Sequence, residues 1–455
     1  TDEAKKILGR LLSRQPDSST GLVELGLVLN KSYHAEAAIA VLRHAAAISP
    51  DKSDAYGFIA TIVSDTASSD VDRDTAEKWF YSAIVLNPAD AETMCNFGVA
   101  LQKRNRLSEA RFILERAVIL NRTYPDSLNN LGVTLQDLGD DQSAKENYRR
   151  AVALTPDYFP AISNVGSLLW RANDGHAALK MFDRSLEVSP HYLPAGHNRC
   201  KTLHGMLRID EALAGYRKLI VQGPQDFDVY WHQSIALLAK GDFATGWRMF
   251  EFRWWSEQSS NLGKRGPAET LWTKNTKLGE KKLVVYAEQG LGDTLQFCRY
   301  SRVLVERGAN IVTSVPGSLL RLLRGQKGFG EIIGPRDPSP AFDFHCPMMS
   351  LPLVLGTTLE TIPFGCEAYL RALPEDLGRW RERLSRDLNR TGAGGRRLKV
   401  GVVWSGGFRP DQAQRWATTE RRNVPLELFA QALDIEGIDF VSLQKGDPAE
   451  SEIRG

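Results

Sequence analysis

Proline stands at Pro16, Pro50, Pro88, Pro156, Pro190 and Pro224, at intervals of 34, 38, 68, 34 and 34 residues, and that period fixes a repeated architecture over more than half of the chain. Two series of small residues keep the same phase. Gly26, Ala60, Gly98, Gly132, Gly166, Cys200 and Ser234 form one; Ala4, Ala38, Ala76, Ala110, Ala144, Ala178, Ala212 and Gly246 form the other. Small residues midway along two helices let the helices cross closely, so the chain opens as a solenoid of helix pairs. Ala4, Leu8 and Leu11 fall on second-helix positions, so the sequence is expected to start within a repeat. Four residues more than the period allows lie between Ala60 and Ala76, and the segment TASSDVDRD is expected to hold them in the turn between the two helices.

Each unit also carries a Leu or aromatic residue four positions after its second small residue, and most units end in proline. This combination resembles the tetratricopeptide repeat, and the resemblance runs from residue 1 to about 260. Asn96, Asn130, Asn164 and Asn198 recur every 34 residues, each two positions before the small residue of the first helix. Stacked repeats would align these carboxamides in a ladder, and a carboxamide both donates to and accepts from a peptide backbone. The ladder resembles that of the O-linked N-acetylglucosamine transferase superhelix, where such asparagines hold the acceptor polypeptide. Hydrogen bonding between neighbouring helices is the simpler use for the same residues. Glu24, Phe58 and His232 occupy the equivalent positions in other units, so a backbone clamp is expected over about four repeats.

Composition bounds the remainder. Across 455 residues, 57 Lys and Arg balance 55 Asp and Glu, which gives no electrostatic case for nucleic acid or an acidic membrane as partner. Cys95, Cys200, Cys298, Cys346 and Cys366 are scattered without metal-ligand spacing, so neither structural zinc nor disulfides are expected. No long apolar run or basic leader is visible, and the expected compartment is a reducing cytoplasm.

Phe243, Trp247, Phe250, Phe252, Trp254 and Trp255 crowd the seventh unit with more aromatic surface than an isolated helix can leave in water. They are expected to form a rigid joint with the next domain; sugar stacking is the alternative. Periodicity is lost over 258–281 and then changes type. KLVVYAE reads as a buried strand, GLGD as a turn, TLQFCRYSRVLVERG as an amphipathic helix and ANIVTSV as a second strand. EIIG and FDFHC follow as short strands, MMSLPLVLG as an apolar segment, and EDLGRWRERLSRDLNR as a charged helix. LKVGVVWSGG, PLELFAQAL and IDFVSLQKG then repeat the strand, helix, strand order.

The succession AEQGLGD, FHCPMMSLP, VGVVWSGG, RRNVPL and FVSLQKG resembles tetratricopeptide-repeat glycosyltransferases whose catalytic part is related to the ADP-heptose lipopolysaccharide heptosyltransferases. That resemblance covers 282–455 and implies an α/β fold of the GT-B type, two Rossmann-like lobes behind an α-solenoid. The expected division is a solenoid over 1–260, a linker over 261–281, a first lobe over 282–374, an inter-lobe helix and linker over 375–397, and the start of a second lobe over 398–455. With two strands before Gly455, the second lobe reads as incomplete.

By the same resemblance, Asp293 in the Gly-Asp turn is the expected catalytic base, with Glu288 and His345 as further candidates and Gly290 and Gly292 placed against the donor. Read from the residues alone, Asp293 is equally a helix cap. Ser405, Gly406 and Gly407 form a turn whose amides could approach phosphate. Arg421 and Arg422 would supply fixed positive charge, and Gln444 and Lys445 would contact the nucleotide. No metal and no cofactor is expected, only a nucleotide-sugar co-substrate. The implied activity is sugar transfer to a Ser or Thr hydroxyl of an acceptor protein held by the repeats, flagellin being the foremost candidate. Transfer to lipid or polysaccharide acceptors and a non-enzymatic adaptor are the alternatives.

Overall fold

The computed structural model describes residues 15, 17–256, 267–274, 276–389, 397–405, 423–433, 435–445 and 449–454. Among the described residues the repeats form seven helix pairs: α1 (Ser19–Lys31) with α2 (Ala35–Ile48), α3 (Ser53–Thr66) with α4 (Asp70–Leu86), α5 (Ala91–Lys103) with α6 (Leu107–Leu120), α7 (Pro125–Asp137) with α8 (Asp141–Leu154), α9 (Phe159–Arg171) with α10 (Gly175–Val188), α11 (Leu193–Gly205) with α12 (Ile209–Gln222), and α13 (Phe227–Lys240) with α14 (Phe243–Phe250).

The small residues sit where the helices of a pair touch. A Cβ at Gly98 would stand 2.4 Å from Leu114, one at Gly132 2.5 Å from Tyr148, and one at Gly166 2.8 Å from Phe182. Leu114, Tyr148 and Phe182 are themselves fully buried, so each crossing pairs a missing side chain with a bulky one. The turns between the helices repeat as well. Asn105, Gly139, Asn173, Leu207 and Gly241 all take positive φ, a backbone that glycine and asparagine adopt easily and leucine does not.

The four-residue insertion lies elsewhere than the sequence suggests. Its turn holds only residues 67–69, and α4 is instead 17 residues long against 14 in its counterpart α6. A capping box explains the early start: Ser69 accepts from the Asp72 amide, and Asp72 returns a bond to the Ser69 amide. Those bonds to Ser69 hold the Asp72 carboxyl below the usual carboxylate range.

The chain divides into two compact units, one comprising Thr1–Ala195, Trp404–Leu426 and Lys445–Gly455, the other Gly196–Val403 and Glu427–Gln444. The second unit contains an all-parallel sheet, β1 (Lys282–Tyr286), β2 (Asn310–Ser314), β3 (Glu331–Ile333) and β4 (Phe344–Pro347), in the order β3-β2-β1-β4. Between β1 and β2 the single helix read from the sequence is two, α15 (Leu291–Phe297) and α16 (Arg299–Glu306). The apolar segment after β4 becomes a 3-10 turn at Met348–Ser350 and a short helix, α17 counting from Leu320–Arg324 being followed by α18 (Leu351–Val354). Trp247 and Phe250 from α14 share one buried cluster with Leu283, Val285, Phe297, Tyr300 and Met348, so this end of the repeats and the sheet are built on one core. The aromatic run is therefore a joint, although Trp255 remains 55% exposed.

The charged helix is α19 (Pro374–Asn389), and beyond it β5 (Leu398–Val402) pairs in parallel with β6 (Ile438–Ser442), with α20 (Leu426–Gln431) between them. A parallel pair bridged by a helix is one βαβ unit. A final helix, α21, covers Ala449–Arg454.

Candidate functional site

In the first unit the carboxamide ladder lies on the first helices of successive repeats, where Asn96, Asn130 and Asn164 are half-buried. A chain of hydrogen bonds connects these repeats. The Asn164 amide donates to Asn129 Oδ1 at 2.8 Å, Asn129 donates to Asn130 Oδ1 at 3.3 Å, and Asn130 donates to the Cys95 sulfur at 3.3 Å. Gln102 adds bonds to the Asn130 carbonyl at 2.9 Å and to Thr134 Oγ1 at 2.6 Å. Burial pushes the Cys95 thiol above its ordinary value, so it stays protonated beside the asparagine.

Asn129 is a member that the sequence reading missed. It is buried, unlike the ladder residues, and its only signal was the adjacent pair Asn129–Asn130. The bonds between repeats use the amide nitrogen of Asn164, and its carbonyl oxygen has no partner among the described residues. The ladder thus ties repeats together through Asn130 and Asn164.

At its N-terminal end the ladder opens into a pocket of about 530 Å³. Glu24, Phe58 and Asn96, three consecutive positions of the same phase, all line it, together with Asp54, Asp90 and Glu92. Lys52 is the one basic residue in that lining.

Asn198 belongs to the second unit, on α11. Beside it, His197 Nε2 and His232 Nδ1 lie 3.2 Å apart, and His232 Nδ1 also lies 2.8 Å from the Asp228 carbonyl. A carbonyl only accepts, so His232 donates from Nδ1 and His197 Nε2 faces it as an acceptor. Burial is the main cause that lowers His197 to about 3 and His232 to about 4; Lys201 and, for His197, the neighbouring ring add to it. Both rings are therefore neutral.

The Gly-Asp turn follows β1. Asp293 Oδ2 accepts from the Gly290 amide at 3.0 Å, which satisfies one backbone amide at the start of α15, and the half-buried residue stands next to exposed Gly292. Its capping role is thus part of the geometry.

Glu288 lies apart from solvent. Arg253, fully buried, donates to Glu288 Oε1 at 2.9 Å, to Ser350 Oγ at 2.8 Å and to Glu251 at 2.7 Å, and the Met349 amide donates to Glu288 at 3.3 Å. Burial pushes the Glu288 carboxyl up to about 7 against the pull of Arg253. A fully buried carboxylate held by a guanidinium and a backbone amide is closed to an acceptor hydroxyl, so Glu288 is placed as a structural ion pair. His345 on β4 is 2% exposed, with Nε2 2.8 Å from the Pro267 carbonyl and the ring between Tyr286 and Phe342. It is a core residue. The expectation that it is a further candidate for the catalytic base does not fit this burial, and Cys346 beside it is buried as well.

Of the donor-side residues, Ser405 is buried, the Gln444 amide lies 3.3 Å from Ser442 Oγ, and Lys445 is exposed after β6. Gly406, Gly407, Arg421 and Arg422 lie outside the described residues. Among the described residues no group of three His, Cys, Asp or Glu side chains could hold a metal ion, and no helix is long and apolar enough to cross a membrane.

A tetratricopeptide-repeat family model matches residues 125–158, the α7 and α8 pair and the residues that lead to the next. No curated protein matches the chain. Among solved structures, a chain of the APC/C hetero-tetramer Cut9-Hcn1 aligns at 16% identity and a TM-score of 0.47, over 52% of this chain and 46% of that one, so the match spans about half its length. PilF of Pseudomonas aeruginosa aligns at 20% identity and a TM-score of 0.39 over 47% of this chain and 94% of its own. YrrB, described as a TPR protein with an unusual peptide-binding site, aligns at 18% identity and a TM-score of 0.32 over 42% of this chain and 97% of its own. Residues 125–158 thus match the tetratricopeptide repeat, within a run of similar helix pairs, and the chain also has a C-terminal α/β part that contains a parallel sheet.

Proposed function

We propose that the repeats bind an extended polypeptide along their first-helix face, and that the α/β part transfers a sugar from a nucleotide-sugar donor to a Ser or Thr hydroxyl of that polypeptide. The observation that carries the binding half is the ladder of Asn96, Asn130 and Asn164, of which Asn130 and Asn164 are linked across repeats through Asn129. Carboxamides fixed at the repeat spacing can pair with successive backbone groups of an extended chain without reading its side chains. For the transfer half, support comes from the resemblance over 282–455, from the parallel sheet with a Gly-rich turn at the C-terminal end of β1, and from the βαβ unit of β5 and β6.

In this reading the acceptor hydroxyl gives its proton to Asp293 as its oxygen bonds to the anomeric carbon, and the bond from that carbon to the donor phosphate breaks, leaving the charge on the phosphate. One carboxylate oxygen of Asp293 is engaged by the Gly290 amide, which orients the other. Asp293→Asn keeps the shape and removes the proton acceptor, so turnover falls about 10²–10⁴-fold with donor binding kept. Intact-mass measurement of acceptor proteins from cells with and without the gene tests the activity itself; no sugar-sized mass difference on any acceptor counts against it.

A second reading, a binding adaptor without catalysis, is favoured by one set of contacts. Glu288 and His345 are committed to the core, and Asp293 is committed in part to its cap. An Asp293→Asn protein with unchanged turnover returns that residue to capping alone.

A further inference from the structure

We infer that the N-terminal end of the groove is a subsite for a basic side chain, so that the polypeptide bound by the repeats carries Lys or Arg where it crosses the first three pairs. The inference rests on the polypeptide-binding reading above and names the chemistry of the partner at one place. The pocket of about 530 Å³ is formed by residues of α1, α3 and α5 and the turns that lead into α3 and α5, and is large enough for a long side chain. Where the ladder elsewhere presents asparagine, its first two positions present Glu24 and Phe58, and one turn earlier on the next helices stand Asp54 and Glu92.

The charges are not already neutralised. Glu24, Asp54 and Glu92 are exposed, and none has an ion-pair partner among the described residues. Asp90 is different, since its oxygens accept from the amides of Glu92 and Thr93 and from Thr93 Oγ1, and it is spent as a helix cap. Lys52 offsets one of the three remaining charges, which leaves the pocket net acidic. Phe58 is half-buried, so its ring offers both an apolar wall for an alkyl stem and a face for a cation. A cation with an apolar stem is complementary to this lining; an acidic or short polar side chain is not.

The test uses the full chain and three fluorescein-labelled peptides of about twelve residues, alike in their Ser and Gly positions and bearing Arg, Gln or Glu at the rest. At low salt the Arg peptide binds about tenfold more tightly than the Gln peptide, with the Glu peptide weakest, and the preference shrinks as salt is added. The combined variant Glu24→Gln, Asp54→Asn, Glu92→Gln removes the preference for the Arg peptide over the Gln peptide. Equal binding of all three peptides overturns the basic subsite and leaves the polypeptide groove standing. An Arg preference that survives in the variant overturns it too, since the attraction then arises elsewhere. Binding of none of the three overturns both readings.

Discussion

Arg253, from the segment that ends the repeats, and Glu288, just after the first strand of the sheet, form an ion pair at 2.9 Å with both side chains fully buried. Removing one partner leaves the other charge buried and unpaired. Arg253→Met is therefore expected to destabilise the protein by about 3–5 kcal/mol at pH 8, measured by urea unfolding. The loss should be smaller at pH 5.5. Glu288 without Arg253 titrates higher still, the folded state then holds a proton that the unfolded state releases, and stability recovers as pH falls. Equal losses at the two pH values contradict this account of the pair.

The two neutral rings give a pH dependence of opposite sense. His197 and His232 are lowered to about 3 and about 4, below the ordinary histidine value, so between those values and 6.5 the unfolded chain binds more protons than the folded one. Their contribution to stability is complete above pH 6.5 and is lost as pH falls toward 4, at up to about 1.4 kcal/mol per pH unit for each ring. NMR titration of the ring protons should show no protonation between pH 8 and 5. Midpoints near 6.5 contradict the assignment.

Leu207 takes φ 62° at a turn where the equivalent residues are Tyr33, Asn105, Gly139, Asn173 and Gly241, and it is 83% exposed. Leu207→Gly removes strain without removing packing and should stabilise by about 1 kcal/mol in thermal unfolding. A lower melting temperature means that the leucine contributes contacts which outweigh the strain.

The repeats were legible because their signal is local and repeated. Gly132 and Tyr148 stand in the same relation as Gly98 and Leu114, so each unit restates the rule for the others. The inserted residues were less so: the turn was expected to hold them, but the capping box of Ser69 and Asp72 started the helix early. Candidate site residues depend on distant partners and were read less well. Glu288 stands near a Gly-rich turn in sequence, yet its burial is decided by Arg253, 35 positions earlier. Asn129 carries no periodic mark, and its use appears only when Asn164 reaches back to it from the next repeat.

The central claim is that the Asn ladder holds a polypeptide backbone, and the affinity of the Asn130→Ala, Asn164→Ala double variant for the same three peptides tests it most directly. Each lost backbone contact costs about 0.5–1.5 kcal/mol, so all three peptides should bind roughly 5- to 150-fold more weakly, by the same factor whatever their charge. Asn129→Ala is the control. It removes the bond from Asn164 across the repeats but leaves both ladder carboxamides in place, so it should lower stability by about 1 kcal/mol and weaken peptide binding less than the double variant does. A folded double variant that binds every peptide as tightly as the parent protein contradicts the claim and reduces the ladder to ties between repeats.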